Sequence, residues 1–371
     1  MTLDIPLYRL RNQHLIQDKF DRAEDVVRSL GAVQSQDFGG AKWALGLRSK
    51  DLTDLDVQRA FDEGFILRTH MLRPTWHFVA PEDIRWMLAL TAPRVLAQMA
   101  YMDRQLELDQ GFFKKSRATL IRALQGGQSL TRAELEPAYQ KDRIPAQGQR
   151  LGHLLMHAEL EGLICSGPRK GKQFTYTLLE ERVPPAKAMS PEESLAGLVK
   201  RYFVTRGPAT LHDFSWWSGL TLTDARRGME MVRSHFVRER LGGQEYWIAD
   251  AGPLLPEHSP TAFLLPNYDE FFIGYKDRSA IGKEAEAAGI KKDDAALLAN
   301  VIVLDGQILG GWKRTPKKEM VQVEVSLLRA LTPAEEQALV EAVQRYGRFL
   351  GLQALLISKE FTSVQRTSRS F

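Results

Sequence analysis

The sequence contains one cysteine and no long apolar stretch, and both features limit what the protein can be. A single thiol, Cys165, cannot form an internal disulfide framework or supply a cysteine-rich zinc site. No run of 18 consecutive apolar residues is present, and the first ten residues lack the basic and apolar parts of a secretion signal. We therefore expect a cytoplasmic protein with no membrane partner.

Several common catalytic signatures are also missing from the sequence. It has no GxxxxGK[ST] phosphate loop, no strand-linked GxGxxG and no HExxH. Its eight histidines are scattered without the spacing of metal ligands. These absences argue against an enzyme that depends on a nucleotide or a metabolite, and we expect neither a cofactor nor a metal.

The composition is that of a globular chain with a small excess of basic residues. With 371 residues, of which 44% are hydrophobic, the chain can form about two to four domains. The 50 Lys and Arg residues exceed the 46 acidic residues, so the net charge is +4 and the sequence pI is about 9.0. This balance permits a polyanionic partner such as DNA, and the positions of the charges must indicate whether there is one.

The chain repeats one pattern three times, in which helices precede a hairpin. In the first copy, two alternating segments at 65–69 and 75–79 flank a loop that contains Arg73. In the second copy, Thr131 and Glu134 form a capping-box pattern before a hairpin at 163–178. The third copy ends in a hairpin around Gly242 and Gly243. This order is typical of winged helices, which bind DNA grooves or other proteins.

After residue 253 the pattern changes to short alternating segments with glycine turns, followed by one clear helix at 331–350. We predict an α+β fold of tandem winged-helix (helix-turn-helix) domains followed by a small C-terminal β-barrel-like domain. The predicted boundaries are 1–110, 111–183, 184–252 and 253–371. Of these, the second is marked by two adjacent prolines at 184–185, because neither a helix nor a strand continues through them.

Two primary amides, Gln34 and Gln36, stand two residues apart directly after the first predicted helix, 21–30, for which Asp21 is the expected N-cap. In an extended backbone, residues i and i+2 point to the same side, so the two amides could hold one water molecule. An amide can orient a water but has no useful pKa, so this chemistry suits only a leaving group that departs easily. The alternative is that the amides merely satisfy backbone groups at a helix-to-loop transition.

Several further motifs accompany the amide pair, in a fixed order along nearly the whole chain. They are VQSQ (33–36), RT (68–69), RPTWHFV (73–79), LLPNYDE (264–270), GYKDR (274–278), LDG (304–306) and GWKR (311–314). Together these motifs resemble the crosslink-repair DNA glycosylase family, the AlkZ and YcaQ group. The chain is similar to the AlkZ branch, whose Q-x-Q falls on Gln34 and Gln36, whereas the other branch would carry an acid in place of Gln36. The middle position of that motif is often apolar, and here it is Ser35.

The resemblance implies a monofunctional glycosylase that acts on N-alkylated purines in double-stranded DNA, with Gln34 and Gln36 as the catalytic residues. It also implies tandem winged helices, and we expect a monomer. A Schiff-base lyase activity through Lys42, close to the pair, is a less favoured option. The main alternative is a non-catalytic winged-helix regulator, although such proteins usually read symmetric sites as dimers, and three units in one asymmetric chain do not fit that arrangement.

Residues predicted to contact DNA lie around the pair, at the second hairpin tip and in the C-terminal domain. They are His77, Arg73, Arg169, Lys170, Lys172, Trp312, Lys313 and Arg314. The basic residues suit phosphate contacts, and their alternative is a solvated surface. Trp43, Trp76 and Trp312 could contact an opened nucleotide site or could be core aromatics, and His77 could equally be an interior residue.

Overall fold

The computed structural model of the chain describes residues 3–186, 188–249, 260–287, 289 and 300–359. These residues form a mixed fold of helices and mainly antiparallel sheets, which confirms the predicted α+β class. Three helical units with small sheets precede a larger C-terminal sheet. None of the described helices is both long enough and apolar enough to cross a membrane.

The first unit begins with the N-terminal helix and contains a three-stranded sheet. Its elements are α1 (Ile5–Asn12), α2 (Ala23–Leu30), β1 (Ala32–Gln34), α3 (Phe38–Leu47), α4 (Asp54–Asp62), β2 (Leu67–Met71) and β3 (Thr75–Val79). The strand order is β1-β3-β2, so β3 is central. A capping box between Thr53 and Asp56 starts α4. The predicted N-cap at Asp21 is wrong, because α2 begins at Ala23 and its N-cap, Arg22, makes no side-chain cap.

The second unit has the same order of elements and is joined to the first by a long helix. The elements are α5 (Ile84–Gln105), α6 (Gln110–Leu124), β4 (Leu130–Thr131), α7 (Arg132–Lys141), α8 (Gln149–Leu160), β5 (Ile164–Lys170) and β6 (Gln173–Leu178). The predicted capping box of Thr131 and Glu134 is confirmed at the start of α7. Strand order β4-β6-β5 matches that of the first sheet.

The third unit repeats the order once more, with a single bridge in place of its first strand. The elements are α9 (Leu179–Arg182), α10 (Pro191–Arg206), α11 (Leu211–Ser218), α12 (Leu222–Val232), a 3-10 turn (Arg233–His235), β7 (Phe236–Leu241) and β8 (Gln244–Ala249). Ala209 forms the bridge with Trp247. Thr221 caps α12, because its hydroxyl accepts from the Asp224 N–H.

The C-terminal region is a five-stranded half-barrel sheet rather than a closed barrel in the part of the chain that the structure describes. Its elements are β9 (Ala262–Leu265), α13 (Glu270–Ile273), a 3-10 turn (Ser279–Ile281), α14 (Lys283–Ala287), β10 (Val301–Leu304), β11 (Gln307–Pro316), β12 (Met320–Leu327), α15 (Pro333–Leu350) and β13 (Gln353–Lys359). Because α15 crosses back over the sheet, β13 pairs with β12 in parallel. The predicted boundary at 252–253 lies outside the described residues.

The first sheet lies between two apolar cores, and this places the end of β1 inside the molecule. On one face, Val33 and Phe78 join a core that extends to α15 and the C-terminal strands. On the other face, Ala32, Leu67 and Val79 join the core of the third unit. The second unit has a separate core of its own, built from α6, α7, α8 and its hairpin.

Candidate active site

The two glutamines lie in the amide segment (residues 34–37), where β1 ends and α3 begins. Gln34 is the last residue of β1, and Asp37 caps α3 by accepting a hydrogen bond from the Gly40 N–H at 3.1 Å. Gln34 pairs with His77 in the central strand, and Thr69 pairs with His77 from the other side. These three side chains therefore lie side by side on one face of the first sheet.

The backbone of the amide segment is held by residues distant in sequence. The Gln34 N–H donates to Glu270 Oε1 at 3.0 Å, and the Ser35 N–H donates to the Trp76 carbonyl at 2.7 Å. The Ser35 carbonyl accepts from Arg68 Nε at 3.3 Å and Nη2 at 3.2 Å. The peptide groups around Ser35 are thus fixed in three directions.

Glu270 is the centre of a buried charged network that joins three parts of the chain. Its Oε2 accepts from Arg206 Nη2 at 2.7 Å and from the Trp217 indole N–H at 2.8 Å. Both partners of this ion pair are 0% exposed. Arg206 also donates to the carbonyls of Leu30 and Ala32, so the same network holds the start of β1.

The side chain of Gln34 is enclosed and has a defined orientation. Its Oε1 accepts from Arg73 Nη2 at 2.9 Å. Because a guanidinium only donates, the atom that faces it must be the amide oxygen. The amide nitrogen of Gln34 is therefore the end that remains to donate to a bound group. Burial lowers the pKa of Arg73, but a guanidinium is still charged at neutral pH.

The side chain of Gln36 is exposed, in contrast to that of Gln34. Its Oε1 accepts from the Trp76 N–H at 3.4 Å, so it remains against the first sheet. The two amides thus differ in environment. Gln34 is 7% exposed and is oriented by Arg73, whereas Gln36 faces solvent. Ser35 between them is fully buried, as an inward-packed middle residue would be.

His77 is a buried histidine and does not reach the surface. Its Nδ1 lies 2.9 Å from the Thr75 carbonyl, and burial followed by the charge of Arg73 lowers its pKa to about 3. The ring is therefore neutral at physiological pH. The residue is 0% exposed, which does not favour a direct contact with DNA, and that contact stays a prediction.

Several buried polar atoms around the amide segment make no hydrogen bond to the residues that the structure describes. They are Ser35 Oγ, Thr69 Oγ1, Thr75 Oγ1, Trp76 Nε1 and His77 Nε2. Buried polar groups are usually paired with protein, water or ligand. Their concentration around one strand end is typical of a site that binds a polar group.

Arg68 supports the segment from the opposite face of the sheet. Its guanidinium lies 4.3 Å from the ring centroid of Trp76 and 4.2 Å from that of Phe174, which belongs to the second unit. Burial lowers its pKa to about 10, so it stays charged. Stacking on two rings fixes the plane of the guanidinium, and therefore the direction of its bonds to the Ser35 carbonyl.

The predicted contacts in the C-terminal sheet fall in three different environments. Trp312 is 3% exposed and its indole N–H donates to the Leu265 carbonyl at 2.8 Å, so it packs as a core residue, and its contact with DNA stays a prediction. Lys313 is exposed on β11. Arg314 is half-buried and reaches the amide segment, with Nη2 at 3.5 Å from Asp37 Oδ2 and Nη1 at 3.0 Å from the Tyr346 hydroxyl.

The second-unit hairpin carries the other predicted basic contacts. Lys170 and Lys172 are exposed, and Lys170 forms an ion pair with Glu134 at 2.9 Å. Arg169 is half-buried, with its guanidinium 4.9 Å from the ring centroid of Phe38 in α3. The hairpin tip therefore contacts the helix that follows the amide segment.

Two residues near the glutamines have structural partners instead of open surroundings. Lys42 is 6% exposed and donates to Asp54 Oδ2 at 2.7 Å, which leaves its amine engaged and does not favour a Schiff base. Trp43 is 1% exposed and donates to the Leu264 carbonyl at 2.7 Å. Trp76, by contrast, is half-buried and stacks on His70.

The sequence reasoning missed the residues that hold the segment from a distance. These are Arg206, Glu270 and a second fully buried pair, Arg48 with Asp269, joined by two bonds of 2.8 and 2.9 Å. Adjacent acids at 269–270 within an otherwise apolar stretch were the available signal, because acids in such a stretch usually require buried cations. In the described residues, no group of three His, Cys, Asp or Glu side chains could hold a metal ion.

Comparisons with known proteins define the class of enzyme. The family model described as DNA glycosylase AlkZ-like matches residues 27–349. An interstrand DNA cross-link repair glycosylase from Streptomyces sahachiroi is 25% identical over 361 residues, which cover 91% of this chain and 92% of the relative. The solved structure of Streptomyces sahachiroi DNA glycosylase AlkZ superposes with a TM-score of 0.76 at 20% identity, covering 95% of this chain and 98% of that one.

These matches place the chain among hydrolases of N-glycosyl bonds. It belongs to the AlkZ-like DNA glycosylase family. The resemblance identified from the motifs is therefore confirmed, and the likeness in structure extends over nearly the whole chain. Membership of an enzyme family argues against the non-catalytic regulator.

Proposed function

We propose that this protein hydrolyses the N-glycosidic bond of N-alkylated, cationic purines in double-stranded DNA, with Gln34 and Gln36 positioning the attacking water. The observation that carries the proposal is the amide segment itself. Its backbone is held by Glu270, Arg68 and Trp76, while its two amides remain at the edge of a polar site. Such fixed placement can supply several kcal/mol of a barrier.

The chemistry requires no strong base. Alkylation at N7 or N3 makes the purine positive, so the glycosidic electrons leave with the base and the sugar gains oxocarbenium character. The water oxygen then bonds to the anomeric carbon and releases a proton. Gln36 is the exposed amide and suits the acceptor of that water, whereas Gln34, whose oxygen faces Arg73, suits the donor that fixes its position. An undamaged purine leaves too slowly for two amides to release it.

DNA binding would use the three repeated units as winged helices, with boundaries close to 110, 183 and 252. The exposed Lys170, Lys172 and Lys313 suit phosphate contacts, and the half-buried Arg73, Arg169 and Arg314 suit contacts close to the amide segment. A chain that encloses the duplex from several sides need not flip a bulky base into a narrow pocket. We therefore include bulky adducts and interstrand crosslinks among the substrates, and a monomer suffices.

The direct test measures release of free 7-methylguanine from alkylated duplex DNA under single-turnover conditions. We expect Gln34→Ala and Gln36→Ala each to slow release about 10²–10³-fold, the loss typical of removing one catalytic hydrogen-bonding group. Gln337→Ala, in α15, serves as the matched control because its amide donates to Glu341 on the same helix. Release that is unchanged in both site variants would remove the pair from the mechanism, and no release by the intact protein would refute the proposed substrate.

A further inference from the structure

One exposed aromatic lies beside the amide segment and has no role in the chemistry above. Trp216, on α11 of the third unit, is 46% exposed, whereas its neighbour Trp217 is 1% exposed and donates to Glu270. Consecutive tryptophans on one helix thus have opposite environments. The exposed ring of Trp216 offers an apolar surface that a binding partner can cover.

Two contacts locate the Trp216 ring relative to the site. The Arg73 guanidinium carbon lies 6.0 Å from the ring centroid, and the same guanidinium donates to Gln34 Oε1 at 2.9 Å. The Trp216 ring is therefore separated from the Gln34 amide by a single guanidinium group. The Arg73 Nη1 also lies 3.5 Å from the Trp216 carbonyl, which ties the backbone of α11 to the same residue.

The position of α11 is set by close packing and not by a loose surface contact. Gly219, the C-cap of α11, has φ = 72°, and a Cβ built there would come within 2.2 Å of the Leu72 carbonyl. The turn between β2 and β3 therefore lies directly against the end of α11. This contact fixes the backbone of α11 next to the site.

We infer that Trp216 stacks on the nucleobase next to the alkylated nucleotide when the duplex opens at the site. This inference rests on the proposed function. An indole ring suits the face of any base, and it acts without sequence preference. The positive charge of Arg73 beside the ring disfavours the cationic damaged base and favours its neutral neighbour.

The test compares binding to an undamaged duplex with binding to a duplex that carries a tetrahydrofuran abasic analogue. Because the analogue has no base, a variant that binds this duplex more weakly has lost a contact with a neighbouring nucleotide and not with the damaged base. Trp216→Ala should weaken binding to the abasic duplex about tenfold and leave binding to the undamaged duplex within about twofold. Trp216→Phe, which keeps a ring, should retain most of the affinity. Tyr101→Ala, an exposed aromatic on α5, is the matched control and should bind both duplexes normally.

A second duplex, with two adjacent abasic analogues, completes a double-substitution cycle. Removing the neighbouring base, on the 5′ or the 3′ side, should lower the affinity of the intact protein by the same factor of about ten. On that duplex, Trp216→Ala should lower the affinity no further. Equal losses on damaged and undamaged DNA, or unchanged binding throughout, would overturn the inference. So would normal binding to the abasic duplex combined with slow release of 7-methylguanine, because Trp216 would then contact the damaged base.

These outcomes are separable from failure of the proposed function. If the intact protein releases no 7-methylguanine, the proposed function fails whatever Trp216 does. If it releases the base and Trp216→Ala behaves like the intact protein on every duplex, only the inference about Trp216 fails. Urea unfolding of each variant checks that the exposed substitution leaves the fold intact.

Discussion

The first and second units share one order of helices and strands, yet they relate to the rest of the chain in opposite ways. Val33 and Phe78 of the first unit belong to a core that continues into the C-terminal sheet. The second unit closes its core on itself, around residues such as Leu154 and Tyr139. One arrangement of elements therefore serves both as a unit integrated with the C-terminal sheet and as an attached module. The amide segment lies in the integrated unit, where residues from several parts of the chain can hold it.

The largest effect should follow from breaking the buried ion pair beside the first unit. Glu270→Leu leaves Arg206 buried without its partner and removes the acceptor of the Gln34 N–H, so the free energy of unfolding should fall by about 3–5 kcal/mol. Urea unfolding followed by circular dichroism measures this. Adding Arg206→Met should restore part of the loss, whereas Lys170→Ala, at the exposed pair of the second unit, should leave the urea midpoint nearly unchanged. A single substitution at Glu270 with no loss of stability would show that the network is dispensable.

Replacing one large side chain in each core by alanine should show which parts of the chain each core stabilises. Phe78→Ala should cost about 3–5 kcal/mol and Leu154→Ala about 2–5 kcal/mol. Hydrogen exchange measured by mass spectrometry should show faster exchange for Phe78→Ala in the first unit and in the C-terminal strands together. For Leu154→Ala, faster exchange should be confined to residues 106–178. Faster exchange over the whole chain in both variants would contradict separate cores.

A substitution at Arg68 tests whether the geometry of the amide segment depends on a contact with the second unit. Arg68→Lys keeps the charge but loses the planar group that stacks on Trp76 and Phe174 and holds the Ser35 carbonyl. We expect base release to slow about 100-fold at saturating enzyme, the scale of a small misplacement, with DNA affinity unchanged. Arg122→Lys, on α6, is the matched control and should retain full activity. A loss of affinity instead of rate would make Arg68 a DNA contact.

The smallest effect concerns pH and the buried histidine of the first unit. The pKa of His77 is about 3 in the folded chain and near 6.5 when unfolded, so below pH 6.5 the unfolded state binds the extra proton. The free energy of unfolding should therefore fall as the pH is lowered from 6.5, by up to about 1.4 kcal/mol per pH unit. Urea unfolding at pH 7 and pH 5 measures it, and His77→Gln should reduce the difference. An identical pH dependence in that variant would remove His77 as the cause.

Local signals made much of the fold predictable from the sequence. Thr131 with Glu134, and the glycine turn at Gly242 and Gly243, act over a few residues, and the structure has both where the sequence indicated them. Prediction at Asp21 failed because a capping pattern shows only that a cap can form, and α2 begins two residues later. The motifs also identified the family.

The candidate site was less predictable, because its supporting contacts join distant parts of the chain. Glu270 holds the Gln34 N–H across 236 positions, and no local pattern connects them. Trp312 was predicted either to contact DNA or to be a core aromatic, and the structure places it in the core, because neighbouring residues of a strand face opposite sides and Lys313 takes the exposed one. Placement of the two glutamines at one strand end agrees with the sequence, while their roles in catalysis remain our proposal.

Glu270 and Arg68 hold the amide segment through its peptide groups and not through the glutamine side chains. The bonds that hold the backbone of the segment therefore do not depend on which side chains stand at positions 34 and 36. A carboxylate or an imidazole could replace an amide there while the same backbone bonds persist. The strand end would then accept different catalytic groups on the same backbone, and variants of the enzyme could act on less reactive leaving groups with the fold unchanged.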